Sequence, residues 1–301
     1  MGCNDDVPVK ELADNCEGIS IMNNKIKLDL EPLTPELIKK AEEELRETPE
    51  RVNESLEELK KLLNENTSIY FKNSPEVLTR FLRPVKFYPE SALALMKRIS
   101  EFKEKNKDLL TGLMPEQVEK IMLNEDIVNV LADRDHKGRR ILINKAGKAW
   151  DPKKATPDDV FKMFYLIHQG ALLEPATQVN GVVVILDFDG LGMAQVLALN
   201  PTFSLRLLNF IQDAMPLRLK EVHVVNQPWL FNMVWKIFKP LVKEKLSKRL
   251  HFHGSKYEEL HKFIPKDYLP ADYGGSLPKI DYSSKDWYPV LRDLDDYIRG
   301  E

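Results

Sequence analysis

The chain has 301 residues, 43% of them hydrophobic and 30% charged, with a formal net charge of −3. That balance excludes a wholly disordered chain, and the lack of a basic excess argues against a nucleic-acid partner. Residues 1–60 are strongly acidic and the remainder is mildly basic. At roughly 150 residues per domain, the length predicts one large or two ordinary domains. The two cysteines, Cys3 and Cys16, lie near the start and match no zinc-ligand spacing, which fits a reducing, cytoplasmic compartment. No apolar run approaches the ~18 residues that a membrane-crossing helix needs, and residues 1–30 show no secretory leader pattern. Met1-Gly2-Cys3 begins like an acylation signal, but Asp5-Asp6 stand where that signal requires Ser or Thr.

In chain order, residues 1–30 are polar and aperiodic and read as a flexible tail. Residues 31–110 read as a helical N-terminal module. Thr34-Pro35-Glu36, Thr48-Pro49-Glu50 and Ser74-Pro75-Glu76 each place a capping hydroxyl before a Pro and an acid, the signature of a helix start. Pro84 and Pro89 bracket Val85–Tyr88, so one helix stops there and another begins near Glu90. After Pro115 the period changes. Val128–Leu131 and Arg140–Ile143 read as strands joined by a turn at Asp135-His136-Lys137-Gly138. Thr156-Pro157-Asp158-Asp159 caps a helix running to Leu173. Val182–Leu186 is an unbroken β-branched run of the kind covered on both faces in a parallel sheet.

Asn200-Pro201 opens a helix carrying Phe203, Leu207, Phe210, Ile211 and Ala214 on one face. Glu221–Val225 is the next strand, residues 229–246 a helix interrupted at Pro240, and Arg249–His253 a last short strand. Strand and helix alternate from 125 to 255, so the fold class is α/β with a largely parallel sheet covered by helices. Residues up to 280 wrap this body, and residues 281–301 supply a C-terminal helix.

Several groups have chemical interest. Asp187-Phe188-Asp189-Gly190 after an apolar strand is similar to the nucleophile motif of haloacid-dehalogenase-type phosphatases, where the first Asp attacks phosphorus, the second handles protons and Mg²⁺ bridges. The continuation is Leu191-Gly192 instead of Thr or Val, and the acidic pair Asp295-Asp296 lies in the terminal helix. Capping of the strand end is the simpler reading. His251 and His253 share one strand face, where hydrogen-bonded histidines are expected ahead of a metal pair. Trp229–Phe238 is apolar almost all round, and Lys236, Lys239, Lys243, Lys245, Lys248 and Arg249 crowd its end and the dozen residues beyond it. Such a helix either lies in a core or faces something other than water, and the cations favour an anionic membrane surface.

The ordered words Phe81-Leu82-Arg83, Asn226-Gln227-Pro228-Trp229, Lys239-Pro240-Leu241, His251-Phe252-His253-Gly254 and Leu269 to Pro278 resemble the CRAL-TRIO lipid-binding family. The likeness is strongest to its retinaldehyde-binding and α-tocopherol-transfer branch, including insect members. It covers about residues 45–280, with 115–280 as the lipid-binding domain. The resemblance implies an intracellular carrier for one hydrophobic molecule such as a retinoid, tocopherol, carotenoid or terpenoid. It implies no catalytic residue, metal or cofactor, a monomer, and a helix that opens at a membrane. The implied ligand wall includes Phe161, Phe164 and His168 from the long helix and Val182, Val184 and Leu186 from the buried strand. Leu207, Phe210, Met215, Leu217 and Val222 extend it, and Phe231, Val234, Trp235 and Phe238 close it from the apolar helix. His168 would hydrogen-bond a polar ligand group. The implied phosphoinositide contacts are Arg218, Lys220, Lys245 and Arg249, with Val85 standing where the family has a further basic residue and Lys86 beside it. A phosphatase using Asp187 and Asp189, and an adaptor that senses lipid, are the alternatives.

Overall fold

The computed structural model describes residues 26–294. The three Pro-Glu starts are all used. Helices α1 (Pro35–Leu45), α2 (Pro49–Glu65) and α3 (Pro75–Leu82) begin with the hydroxyls of Thr34, Thr48 and Ser74 accepting from Leu37, Arg51 and Val77 amides. Helix α4 (Pro89–Lys105) follows the turn set by the two prolines, and the short α5 (Lys107–Leu110) and α6 (Glu119–Asn124) lead into the sheet. Phe102 of α4 meets Phe161 and Phe210 at 6.1 and 5.5 Å between ring centres, so the helical module packs on the second half through aromatic rings. Residues 26–30, inside the expected tail, lie against the body, with Ile26 buried.

The sheet holds five strands in sequence order: β1 (Val128–Val130), β2 (Arg140–Lys145), β3 (Val182–Asp187), β4 (Leu219–Val225) and β5 (Leu250–Phe252). The β1–β2 hairpin is antiparallel and the other pairings are parallel. Parallel neighbours in sequence order need right-handed crossovers, which puts every connecting helix on the same side of the sheet. Those connections are α7 (Pro157–Leu173) and α8 (Pro175–Asn180), then α9 (Met193–Ala198) and α10 (Pro201–Asn209), then α11 (Phe231–Phe238) and α12 (Glu244–Ser247). The other side is sealed by the segment after β5. There Leu260 of α13 (Tyr257–His261), Ile264, Leu269 and Tyr273 pack on Ile141, Ile143, Val183 and Ile185. Helix α14 (Ser284–Arg292) returns to pack against α6 and β1.

The interruption expected at Pro240 splits residues 229–246 into α11, a 3₁₀ turn at Lys239–Leu241, an extended Val242 and then α12, because Pro240 cannot continue the hydrogen-bond ladder. One expectation changes. The helix starting at Pro201 ends in a π turn at Phe210–Ala214, which alters where its last side chains point.

Candidate functional site

Strand alternation sets the site. On β3, Val183 and Ile185 are fully buried in the sealed face, while Val182, Val184 and Leu186 point to the helix side. The parallel register sets Leu142 beside Val184 and Val184 beside Val222, so three strands present one apolar floor. The helices do not close on it. Between floor and helices lies a cavity of about 200 Å³, measured as space open to the centre of a water-sized sphere. A single water needs roughly 10–15 Å³ on that measure. Val182, Val184 and Leu186 are therefore only half-buried: they border a hollow, where the sequence predicted a strand covered on both faces.

The roof is Phe161, Phe164 and His168 of α7, Leu207 of α10, then Met215 and Leu217, and Phe231, Val234, Trp235 and Phe238 of α11. Phe210 is the exception among the residues expected there. It opens the π turn and packs behind the wall, 5.8 Å from Phe161 and Phe164 and 5.0 Å from His168 between ring centres. Ile211 takes the place on the cavity wall. Sequence reasoning missed Leu142 and Asn144, although β2 alternation and its register with β3 carry the signal. It also missed Trp287 and Leu291 of α14, which join the wall with no local signal at all.

Four polar or charged side chains border this apolar space: Arg140, Asn144, His168 and Glu174. Arg140 and Glu174 satisfy each other. The Glu174 carboxylate, 1% exposed, takes Arg140 Nη2 at 2.5 Å, Thr177 Oγ1 at 2.5 Å, Arg134 at 3.2 Å and the Asp29 amide at 2.9 Å. Burial pushes its pKa up, but these donors outweigh it and hold it below the usual carboxylate range. His168 is different. It is 5% exposed, and neither ring nitrogen makes a hydrogen bond of good geometry, the Gln169 side chain standing beside it. Burial lowers its pKa to about 3, opposed only weakly by the Gln169 side chain, so the ring is neutral.

Helix α11 hangs between two anchored ends. Before it, Asn226 Nδ2 donates to Asp187 Oδ1 and the Tyr257 hydroxyl oxygen, each at 2.9 Å. After it, Gln212 of the π turn bonds Leu241 O and Lys243 N at 3.1 and 2.7 Å, and Lys243 pairs with Asp213 at 2.6 Å. Phe231 packs tilted against Phe188 and Trp235 edge-on to Phe252, 4.7 and 5.0 Å between ring centres. The exposed side of α11 sets Met233 between Asn232 and Lys236, and apolar surface continues beside it: Trp229, just before the helix, is 80% exposed, and Met193 and Leu197 of the neighbouring α9 are exposed too.

Asp187 is thereby accounted for. Its carboxylate takes the Asp189 amide and Asn226 on one oxygen and the Tyr273 hydroxyl on the other, and exposed Asp189 pairs with Lys148 at 2.6 Å. This is the strand-end capping the sequence favoured. The histidines gather on the sealed face. His223 Nδ1 lies 3.0 Å from His253 Nε2, and His251 stacks on His223 at 5.3 Å between ring centres. Among the described residues no group of His, Cys, Asp or Glu is placed to hold a metal ion.

Arg218, Lys220, Lys245 and Arg249 gather on the surface beside β4 and β5. Glu44 pairs with Arg218 at 2.9 Å and with Lys220 at 3.6 Å. Arg218 also donates to Val179 O and Arg249 to Leu219 O. Burial first, then the neighbouring cations, lowers the pKa of Lys220, Lys245 and Arg249, with Glu44 opposing the shift at Lys220. Val85 is half-buried against the core, with Lys86 exposed beside it.

Comparison with known proteins agrees with this geometry. Residues 124–275 match the family model described as CRAL/TRIO domain. Clavesin-2 of Homo sapiens is 31% identical over 263 residues, spanning 87% of this chain and 80% of its own length. Clavesin-1 of Xenopus laevis is 31% identical over 251 residues, 83% of this chain and 75% of its own. The crystal structure of Sfh5 aligns over 88% of this chain and 84% of its own at 16% identity, with a TM-score of 0.43.

Proposed function

Because this chain belongs to the CRAL/TRIO domain family of lipid-binding and lipid-transfer proteins, we propose that it carries one hydrophobic small molecule and exchanges it at membrane surfaces. One observation carries the reading: an apolar hollow roofed by a helix beside which large apolar side chains, Trp229 and Met233 with Met193 and Leu197, lie exposed. A ligand of isoprenoid size would remove several hundred Å² of apolar surface from water, about 10 kcal/mol gross at roughly 25 cal/mol per Å². Part of this is lost to ordering. No covalent step is required.

Helix α11 is the natural gate. Its inner residues cover the ligand, and Trp229 and Met233 would meet lipid when it swings out between its anchored ends. The exposed Lys236, Lys239, Lys245 and Lys248 flank that path, and the cluster around Arg218, Lys220, Lys245 and Arg249 would take the phosphates of a phosphoinositide head group. Among the described residues no helix is long and apolar enough to cross a membrane, so attachment would be peripheral. Purified protein should bind one equivalent of at least one member of a panel of retinoids, tocopherols, carotenoids and terpenoids. Val184→Trp, which projects into the hollow, should abolish that binding without lowering Tm. Failure of every lipid, with no lipid in an organic extract of the native protein, would end the proposal.

A further inference from the structure

The four cations beside β4 and β5 are unequally paired. Among the described residues no acid pairs with Lys245 or Arg249, whereas Arg218 and Lys220 share one, Glu44, at 2.9 and 3.6 Å. Glu44 lies in α1 of the helical module, 174 residues before Arg218, so its carboxylate reaches the cluster only because α1 is docked there. Buried Ala41 and Leu45 pack on Val179, and Lys40 Nζ donates to Asn180 Oδ1 at 2.7 Å. A helix fixed through those residues has little freedom to turn position 44 elsewhere. Burial raises the Glu44 pKa, but the Arg218 bond and the charges of Lys220, Arg218 and Lys40 outweigh it, so the group is an anion at neutral pH.

We propose that Glu44 is a built-in competitor for the head-group seat, filling the Arg218 and Lys220 half of the cluster until a phosphate monoester takes its place. The proposal rests on the phosphoinositide reading of that cluster and adds the residue that weakens it. A carboxylate and a phosphate offer anionic oxygens to the same N–H donors, so the two compete for one position. The Glu44 side chain is 40% exposed, and an exposed pair of this kind is worth little. A phosphate monoester brings about −1.5 to −2 charges and three acceptor oxygens, against the single charge and two oxygens of Glu44. The exchange therefore favours phosphate. Lys245 and Arg249, with no acid of their own, give the incoming group its first contacts. Lys40, one turn back on the same face of α1, can receive the displaced carboxylate, so the helix can stay docked. The helical module thereby sets how readily the second half of the chain takes an anionic head group.

The test compares the full chain with its Glu44→Gln, Glu44→Lys and Glu42→Gln variants at one pH and one salt concentration. The probes are phosphatidylcholine vesicles with and without phosphatidylinositol 4,5-bisphosphate, and soluble inositol 1,4,5-trisphosphate. Glu44→Gln should bind both phosphate probes about fivefold more tightly, the worth of one exposed pair, and Glu44→Lys more tightly still. Glu42→Gln removes the same charge from an exposed position of the same helix and should change either affinity by less than about twofold, because distant surface charges are screened. If Glu44 only docks α1, Glu44→Gln lowers Tm and leaves affinity unchanged or weaker, and that result overturns the proposal. An equal gain in Glu42→Gln assigns the effect to bulk charge and overturns it too, as does a gain on vesicles without one on the trisphosphate. If the wild type and all three variants bind neither phosphate probe, the head-group reading falls and the proposal falls with it.

Discussion

Replacing Glu174 by Gln tests the polar junction on the cavity wall. The substitution keeps shape and one acceptor but removes the charge that Arg140 contacts through Nε and Nη2 at 2.5 to 3.1 Å. Arg134 keeps Asp29 at 3.0 Å, so Arg140 is the side chain left stranded. It is buried, and its remaining bonds are to the carbonyl of Ala132 at 2.8 Å and to those of Leu131 and Lys27 at 3.4 Å. Breaking one partner out of a buried pair costs about 3–5 kcal/mol. At roughly 2–4 °C of Tm per kcal/mol for a chain of this class, the loss is on the order of 10 °C. Urea unfolding at pH 7.5 should show a lower midpoint with an unchanged slope. The pH dependence comes from the lowered pKa of Glu174. Its contribution is complete above the ordinary value of 4.5 and is lost as pH falls through the depressed native value. The gap between wild type and variant should therefore close in acid. The double replacement Arg140→Met, Glu174→Leu should regain most of the loss, since neither charge is then buried. A single variant within 1 kcal/mol of wild type, or a double variant as unstable as the single, refutes this account.

The gate reading predicts that Trp229→Asp with Met233→Asp leaves equilibrium ligand binding within about twofold but slows transfer to vesicles at least tenfold; unchanged transfer rates would count against it. The basic cluster predicts that Lys220→Glu with Lys245→Glu weakens binding to phosphoinositide vesicles and flattens its salt dependence, and equal binding would remove the cluster from the mechanism. The histidine stack predicts an acid-sensitive fold. Burial, then the charges of His223 and His251, lowers His253 to about 4, and burial lowers His251. A lowered histidine keeps its stability above the ordinary 6.5 and loses it as pH falls towards the native value. Stability should decline from pH 6.5 to 4 and decline less in His253→Gln, with Glu221 and Glu259 as the acids that moderate it; a flat wild-type profile would refute this.

Much of the fold was legible because its signals are local. A hydroxyl before Pro-Glu caps a helix wherever it stands, and Thr156 with Asp159 closes a capping box in the same way. Alternation on β3 placed Val182, Val184 and Leu186 on one face. The emptiness they face was not legible from pattern, because Val184 beside a hollow and Val183 in a packed core are the same residue. The family resemblance supplied the cavity, and most of its wall followed by position. Phe210 was lost because one π turn redirects a side chain that helical spacing places beside Leu207. The lining from α14 was hidden because it is assembled from the far end of the chain.

Helix α11 has only eight residues and begins without a side-chain cap. Isolated helices below about 12 residues barely persist in water. Lifted into solvent, this one would forfeit its own backbone order together with the contacts it makes to Phe188 and Phe252. A bilayer supplies the oily neighbour that keeps such a short segment wound. With α11 as the gate, release would thereby be set by destination: the latch would stay shut in transit and yield only where an alternative apolar surface is already in place.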